Sequence, residues 1–297
     1  MIDVSISLHS GPVTVRTPAT SANLGPGFDA LGVALTLYDE VTAEVTDGET
    51  AVEVTGEGAD SLPADESHLI VRAMRATFAE LGAPRTGLRL RCLNRIPQAR
   101  GLGSSSAAIV AGVTLAQALA GMPDRERALE IAGALEGHPD NVAPCILGGF
   151  TIAWLDADHR ARAVVSTPSA AVRPVVFVPE VLGLTAAARA ALPPSVPHVD
   201  AAFNAGRSAL LVHALTIAPG LLFEATEDRL HQAYRAEGMP ETARLVAQLR
   251  AAGVAAVVSG AGPTVLALTP VPSDFAPDGG WVRHNLGFDV AGAQMVS

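Results

Sequence analysis

Apolar and polar positions repeat with two periods along the chain, and each period predicts one kind of element. Single-residue alternation, typical of half-buried strands, is clear in 88–93, whereas apolar residues three and four apart recur in 68–81, as on one helix face. Strands are predicted at 13–16, 37–45, 51–54, 88–93, 148–154, 173–178, 253–258 and 265–268. Helices are predicted at 68–81, 104–120, 125–135, 184–192, 199–217 and 240–252. Because Asp47-Gly48 is a strong turn pair, 37–45 and 51–54 are expected to form a hairpin.

A glycine-rich stretch lies where the strand at 88–93 passes into the helix at 104–120. It reads Pro97-Gln98-Ala99-Arg100-Gly101-Leu102-Gly103-Ser104-Ser105-Ser106-Ala107-Ala108. Its two glycines lack Cβ atoms, so a ligand can approach the backbone and several N–H groups can point at one centre. The free N–H groups of the first helical turn add roughly half a positive charge. The stretch is therefore predicted to bind phosphate.

Three other interpretations of this stretch have different requirements. A serine-capped turn needs only one serine and one glycine. A dinucleotide fingerprint has a third glycine where Ser106 stands. The Walker phosphate loop needs a lysine, and all 20 basic residues of this chain are arginines. An ATP site in this protein would therefore work without lysine.

The segment 17–32 follows the predicted strand 13–16, which is expected to stop at Thr17-Pro18. Its glycines and prolines argue against a regular helix or a central strand. Asn23 and Asp29 supply an amide and a carboxylate, which a site for a small zwitterion or polyol would require. An ordinary surface loop is the alternative.

The segment 136–144 reads E-G-H-P-D-N-V-A-P, and its prolines are expected to hold it out of helix as a rigid loop. A carboxylate such as Glu136 could hold Mg²⁺ against phosphates, because this ion prefers oxygen ligands. A capped helix exit is the alternative. His138 and Asp140 are weak evidence for a metal cluster, and His138 alone is expected to be structural or solvated.

The second half of the chain offers two arginines and another glycine turn. Arg189 and Arg235 could be surface charges, but a guanidinium fork also suits a carboxylate ligand. Ser259-Gly260-Ala261-Gly262-Pro263-Thr264 lies between two predicted strands and could be a plain hairpin turn.

Composition limits the class of protein. With 297 residues, 49% apolar and 17% charged, the chain is expected to fold as two domains, 1–160 and 161–297, with the boundary near 156–171. A net charge of −10 disfavours nucleic acid and anionic membranes as partners. No secretory leader or membrane span is expected, and Cys92 and Cys145 are expected to be buried free thiols. These features favour the cytoplasm.

Three stretches resemble, in order, the motifs of the GHMP small-molecule kinases, over roughly residues 13–268. P-A-T-S-A-N-L-G-P-G-F-D-x-L-G resembles the first motif, P-x-x-x-G-L-G-S-S-S-A-A the second, and S-G-A-G-P-T the third, with Ala261 in place of a serine. The string E-G-H-P-D-N-V-A-P is similar to the branch that phosphorylates homoserine. The resemblance implies an α+β fold, in which a domain like ribosomal protein S5 domain 2 packs on a ferredoxin-like domain with the site between them. The final helix of the family could be reduced here, because the tail from Thr269 is short.

The resemblance also implies roles for individual residues. ATP would contact the second and third motifs, at Pro97, Arg100, Gly101, Leu102, Gly103, Ser104, Ser105, Ser106, Ala107, Gly260 and Gly262. Mg²⁺ would be bound by Glu136 with a loop serine, Ser105 being the first candidate. Homoserine would contact Asn23, Asp29, Asn141, Thr185, Arg189 and Arg235. Catalytic roles fall to Asn141, Asp140 and Arg189, although Asp140, the nearest candidate base, is expected not to be essential.

The implied reaction is ATP-dependent phosphorylation of the L-homoserine hydroxyl, a step toward threonine, by an enzyme that could be a homodimer. One rival is a GHMP kinase that acts on mevalonate or a sugar, against which Asp29 and Arg235 argue. The other is a non-catalytic ligand sensor on the same fold, which would be expected to lack Glu136 or a loop serine.

Overall fold

The structure is a computed structural model and describes residues 6–296. Over these residues the strands are β1 (Val13–Ala22), β2 (Leu31–Thr46), β3 (Ala51–Gly56), β4 (Gly87–Asn94), β5 (Phe150–Leu155), β6 (Ala161–Ser166), β7 (Val175–Pro179), β8 (Ala256–Val258), β9 (Val265–Ala267), β10 (Trp281–Asn285) and β11 (Gln294–Val296). The helices are α1 (Leu69–Leu81), α2 (Ser104–Leu119), α3 (Arg125–Glu136), α4 (Pro139–Leu147), α5 (Thr185–Ala190), α6 (His198–Thr216), α7 (Leu222–Ala225), α8 (Gln232–Arg235) and α9 (Pro240–Ala251).

A large mixed sheet is built from both ends of the chain. Its strand order is β11-β1-β2-β4-β3, and β5 pairs with β2 and β6. Leu88, Leu90 and Cys92 of β4 are buried while the arginines between them face outward, as the alternation predicts. Helices α1 and α2 cover this buried face, with Met74 and Leu115 among the residues in its core.

A smaller sheet has the strand order β10-β7-β9-β8. Phe177 of β7 and Val265 of β9 pack against Leu245 and Leu249 of α9. These side chains form an apolar core that is separate from the core under the large sheet. The glycine turn 259–264 therefore joins two neighbouring antiparallel strands, β8 and β9.

The predicted hairpin is wrong. β4 lies between β2 and β3, antiparallel to β2 and parallel to β3. The turn after β2 passes over the start of β4, where a Cβ atom at Gly87 would overlap the carbonyl oxygen of Gly48. The buried side chains of β4 thus fill the centre of the sheet, and a local turn signal cannot report this insertion of a distant strand.

Two other expectations about local structure are corrected. The first strand does not stop at Thr17-Pro18, because β1 continues to Ala22 with a register shift between Pro18 and Ala19. This irregularity accommodates a proline that has no N–H to give to the ladder. The segment 136–144 is not an extended rigid loop, because Pro139 occupies the first turn of α4, where a missing N–H costs nothing.

The last residues return to the large sheet. β6 and β11 both lie after the predicted boundary at 160/161 and both belong to the large sheet, so the division into 1–160 and 161–297 stays a prediction. Residues 269–296 contain β10 and β11, and this described part of the tail forms no helix. Cys92 and Cys145 are buried free thiols, as predicted. Among the described residues, no helix has the length and apolar character to cross a bilayer.

Candidate active site

The glycine loop delivers the N-terminus of α2 to a small polar cavity of about 100 Å³. Gly101 and Gly103 have φ values of 78° and 70°, a region that glycine occupies without strain. Gly103 is the N-cap of α2 and has no side chain to satisfy the first N–H groups of the helix. Ser104, Ser105 and Ser106 line the cavity, so this end of α2 is suited to an anion.

The third motif packs directly against the glycine loop. The Ser259 hydroxyl donates to the Gly101 carbonyl oxygen at 2.6 Å, and a Cβ atom at Gly101 would overlap the Ser259 carbonyl oxygen. The Gly260 N–H donates to the carbonyl oxygen of Ala22, at the end of β1. The three glycine-containing motifs, far apart in sequence, therefore meet at one place.

An acidic group lies beside the loop serines. Glu136, the last residue of α3, accepts hydrogen bonds from Ser106 Oγ at 2.9 Å and Ser105 Oγ at 3.2 Å. One carboxylate and two hydroxyls form a hard oxygen donor set of the kind Mg²⁺ prefers. Over residues 6–296, no cluster of three His, Cys, Asp or Glu side chains could hold a metal by itself. Any metal here would therefore need further oxygen ligands, from water or from a bound molecule.

Two asparagines present amide donors to the cavity. Asn23 Oδ1 accepts the Asp29 N–H at 2.7 Å, and Asn141 Oδ1 accepts from Thr20 Oγ1 at 2.8 Å. Both residues line the cavity. Because each side-chain carbonyl already accepts a hydrogen bond within the protein, the NH₂ group of each amide is left to donate to a ligand.

Arg235 is a buried cation at the cavity wall. Its side chain hydrogen bonds to neutral groups: the Ala188 carbonyl at 3.1 Å, His231 Nδ1 at 3.2 Å and the Gly260 carbonyl at 3.4 Å. Burial, and secondly repulsion from Arg189, hold the pKa of the guanidinium below its ordinary value. Within the described part of the chain no carboxylate forms an ion pair with it, so the site favours an incoming anion.

Asp29 forms an ion pair with Arg189, which lines the cavity, although Asp29 itself does not line it. Arg189 Nη1 and Nη2 donate to the two Asp29 oxygens at 2.9 and 2.8 Å. Phe28 lies close to both cationic side chains, with its ring centroid 5.7 Å from Arg189 Cζ and 5.2 Å from Arg235 Cζ. A carboxylate, two guanidiniums and an aromatic ring thus lie close together, and the two guanidiniums belong to the cavity wall.

Asp140 is brought near the site but does not line the cavity. It is 1% exposed, at the first turn of α4, and His138 Nδ1 lies 3.3 Å from its Oδ1. This carboxylate is the main reason that the pKa of His138 is raised above its ordinary value. His138 lines the cavity and its side chain is 26% exposed, so its structural or solvated role stays a prediction.

A larger and more apolar cavity of about 380 Å³ adjoins the polar one. The two share five lining residues: Ala99, Ser104, Ser105, Gly183 and Thr185. His68 lines the larger cavity and is 3% exposed. Its Nδ1 accepts from the Ile70 N–H, so Nε2 carries the proton, and within the described residues that N–H has no partner.

Other predicted contact residues have structural duties. Arg100 donates from Nε to the Pro179 carbonyl at 2.8 Å and from Nη2 to the Glu180 carbonyl at 3.0 Å, so its side chain joins the glycine loop to the end of β7. Leu102 is fully buried, and its carbonyl accepts the Thr20 N–H. Ala107, in the first turns of α2, is buried too, and Pro97 precedes the loop. Gly262 has φ 85° in the turn beside Gly260.

Sequence reasoning missed three residues of the site. Phe28 lies inside a stretch whose polar residues carry the sequence signal, and the apolar pattern of 68–81 gives His68 no role beyond the start of a helix. His231 contacts Arg235 from four positions earlier in the chain, a spacing that could have signalled the contact.

Comparison with known proteins agrees with this geometry. Residues 68–149 match the family described as GHMP kinases N terminal domain, and residues 207–276 match GHMP kinases C terminal. The chain therefore belongs to the GHMP kinases, and the α+β fold expected from its motifs is confirmed. A mevalonate diphosphate decarboxylase from Enterococcus faecalis, 14% identical over 96% of this chain and 99% of that one with a TM-score of 0.68, shows the same fold.

Closer relatives narrow the assignment. A homoserine kinase from Streptomyces avermitilis is 53% identical over 299 residues, which span 98% of this chain and 97% of the relative. One from Clavibacter michiganensis is 55% identical over 267 residues, which span 88% and 83%. The crystal structure of homoserine kinase from Cytophaga hutchinsonii has a TM-score of 0.84 at 26% identity, over 98% of both chains. Within the GHMP kinases, the chain belongs to the homoserine kinase family.

Proposed function

We propose that this protein transfers the γ-phosphoryl group of ATP to the side-chain hydroxyl of L-homoserine, giving ADP and O-phospho-L-homoserine on the way to threonine. The observation that carries the proposal is one cavity lined both by the uncapped start of α2 and by the buried cation Arg235. The first suits a phosphate group and the second a carboxylate. The names of the relatives supply the identity of the amino acid.

The nucleotide would occupy the two adjoining cavities. Its phosphates would receive hydrogen bonds from the first N–H groups of α2 and from the loop serines. Its base would occupy the larger apolar cavity, where an acceptor nitrogen could pair with His68 Nε2–H. Leaving that buried N–H without a partner costs about 1–3 kcal/mol, so a base that accepts from it is favoured.

The oxygen donors at Glu136, Ser105 and Ser106 fit Mg²⁺, which would be held there together with phosphate oxygens and would neutralise their charge. Glu136 also keeps the two hydroxyls in place. The role of Ser106 is as well supported as that of Ser105, because its hydroxyl is the closer of the two to the carboxylate.

Homoserine would bind through its two charged groups near Asp29, Arg189 and Arg235 and would direct its hydroxyl into the cavity. Arg235 and Arg189 would take the carboxylate, and Asp29 the ammonium group. Asn23 and Asn141 would donate to the substrate from the inner wall, and Thr185, at the start of α5, lines the cavity beside them. Held this way, the hydroxyl needs little further activation, because phosphoryl transfer passes through a loose transition state.

The proposal is tested by measuring ADP release with homoserine, mevalonate, galactose and shikimate as acceptors. We expect turnover with homoserine and background rates with the other three. Glu136→Gln should lower kcat strongly while the folded protein is retained, as judged by its circular dichroism spectrum. Turnover of mevalonate or galactose in place of homoserine would contradict the proposal, and homoserine binding without turnover would identify a ligand sensor. A homodimer and a cytoplasmic location stay predictions.

A further inference from the structure

The ion pair between Asp29 and Arg189 joins two segments that are far apart in sequence. Asp29 lies in the first motif, between β1 and β2, and Arg189 lies on α5. The pair is bidentate, and the two side chains are 34% and 42% exposed. α5 has no buried residue, so side-chain packing does not fix its position. Its polar ties to the site are this ion pair and the bond from Arg235 Nε to the Ala188 carbonyl.

The same two residues are the ones that the proposed function assigns to opposite ends of the substrate. In the structure the Asp29 carboxylate and the Arg189 guanidinium each satisfy the charge of the other. A ligand that carries only a carboxylate could pair with Arg189 but would leave Asp29 unpaired. A ligand that carries only an ammonium group would leave Arg189 unpaired.

We propose that this internal ion pair makes the site selective for zwitterions. Only a ligand with both charges can replace the ion pair without leaving Asp29 or Arg189 unpaired. The inference rests on the proposed function. A zwitterion such as homoserine breaks the internal ion pair and forms two new ones. A singly charged analogue breaks the internal pair, forms one new pair and leaves one protein charge unpaired. Discrimination therefore comes partly from a cost imposed on wrong ligands. Arg235 remains open to any anion, so singly charged acids bind weakly rather than not at all.

The test compares homoserine with its two half-analogues. 4-Hydroxybutanoate lacks the ammonium group, and 3-aminopropan-1-ol lacks the carboxylate. Affinities are measured by calorimetry on the wild type, Asp29→Asn and Arg189→Gln, in the absence of ATP. Asparagine suits position 29, because the backbone there has φ 52° and Asn tolerates this region.

We expect a crossed pattern. Both variants should lose homoserine affinity at least about tenfold. Asp29→Asn should bind 4-hydroxybutanoate about two- to fivefold better than the wild type, and Arg189→Gln should bind 3-aminopropan-1-ol better by a similar factor, which is the size of a partly exposed ion pair. Glu44→Gln, which removes a carboxylate from a similarly exposed pair with Arg89 on the large sheet, should change none of these affinities.

Removing a charge also alters the general field, so a direct readout of the pair is needed. The NMR signals of the Arg189 guanidinium are identified by their loss in Arg189→Gln. They should shift in Asp29→Asn and when homoserine is added to the wild type. 4-Hydroxybutanoate should shift them in Asp29→Asn but not in the wild type. If Asp29→Asn neither shifts them nor improves 4-hydroxybutanoate binding while wild type binds homoserine, the inference is wrong and the proposed function stands. If wild type shows no turnover of homoserine in the ADP-release assay, the proposed function itself is wrong.

Discussion

Buried polar side chains fix the site at the scale of single residues, and His231 is the clearest case. It is fully buried, donates from Nε2 to the Gly25 carbonyl at 2.7 Å and accepts at Nδ1 from Arg235. Burial holds the pKa of His231 below its ordinary value, which keeps the ring neutral and Nδ1 able to accept. His231 is thus a positioning residue that links the first motif to the anion-binding arginine.

Replacing His231 should therefore affect one substrate selectively. We expect His231→Leu to raise KM for homoserine about tenfold, the loss of roughly one buried hydrogen bond to a charged group, while kcat and KM for ATP change little. His231→Gln, which keeps one donor and one acceptor, should recover part of the loss. Steady-state kinetics with each substrate varied decides the matter. Equal damage to both KM values by both variants would mean that His231 supports the fold alone.

Asp140 tests whether a general base is needed. Because it is buried behind the cavity lining and faces His138, we expect Asp140→Asn to lower kcat by much less than about 10⁴-fold, the top of the usual general-base range. Single-turnover rates measure the chemical step directly. A loss of that full size, with homoserine and ATP binding intact by calorimetry, would show that Asp140 removes the proton.

Asp39 predicts a pH dependence of stability. Burial raises the pKa of its carboxyl to about 6, although the N–H groups of Arg95 and Ile96 oppose the shift by donating to it. A raised folded pKa means that the native state binds the proton more tightly. The stabilisation that protonated Asp39 gives to the folded state is therefore fully present below about pH 4 and is lost as the pH rises through about 6.

Asp39→Asn should remove this pH-dependent stabilisation while keeping an acceptor for the two N–H groups. The free energy of unfolding of the variant, relative to wild type, should rise by up to about 3 kcal/mol between pH 4 and pH 7. Urea unfolding at several pH values measures it. A constant difference across this range would contradict the assignment.

At the scale of elements, the glycine loop is a packed joint as well as a ligand site. Gly101 has a positive φ and lies against the carbonyl of Ser259, whereas Gly121, after α2, has φ 69° and no atom within 4 Å of a Cβ position. We expect Gly101→Ala to raise KM for ATP and lower the melting temperature. Gly121→Ala should lose only the strain energy, about 1 kcal/mol, with KM for ATP unchanged.

This pair of variants separates backbone strain from contact with the third motif, since both alanines would adopt the same unfavourable region. Calorimetric unfolding and nucleotide titration are the measurements. Equal effects of the two substitutions would mean that packing against Ser259 contributes nothing to the loop.

The elements that sequence predicts best are those with a complete local signal. The helix at 68–81 has a clear apolar face and ends at Gly82 in the left-handed region, and the glycine loop combines glycines, serines and a strand-to-helix junction. The predicted hairpin failed because strand pairing is decided by which distant strand fills the space between two neighbours. α4 was missed because a proline that breaks a helix interior is compatible with its first turn. The contacts of His231 and His68 depend on tertiary burial, which no local pattern reports.

At the scale of the whole molecule, the tail is attached to the large sheet through Asp289 and β11. Asp289 accepts from the N–H groups of Ala291 and Gly292 and from the Tyr38 hydroxyl at 2.9 Å, and it is 6% exposed. Burial, and secondly Asp289, raise the pKa of Tyr38 to about 12. Beyond Asp289, β11 pairs with β1.

Asp289→Ala should lower the free energy of unfolding by about 2–4 kcal/mol, because three donors lose their acceptor at a mostly buried site. Tyr38→Phe, which removes one of those hydrogen bonds, should cost about 1 kcal/mol. Guanidinium unfolding followed by fluorescence compares them. Similar losses for the two variants would place the effect at the tyrosine and not in the tail.

The position of β11 also orders events on the ribosome. β1 is synthesised long before residues 294–296, which contribute one of its neighbours in the sheet. Until translation reaches that point, this side of β1 has exposed backbone N–H and C=O groups, and such an open edge can pair with other chains. The large sheet can therefore be completed only after residues 294–296 have been made, and until then the nascent chain carries an open edge at which it can aggregate.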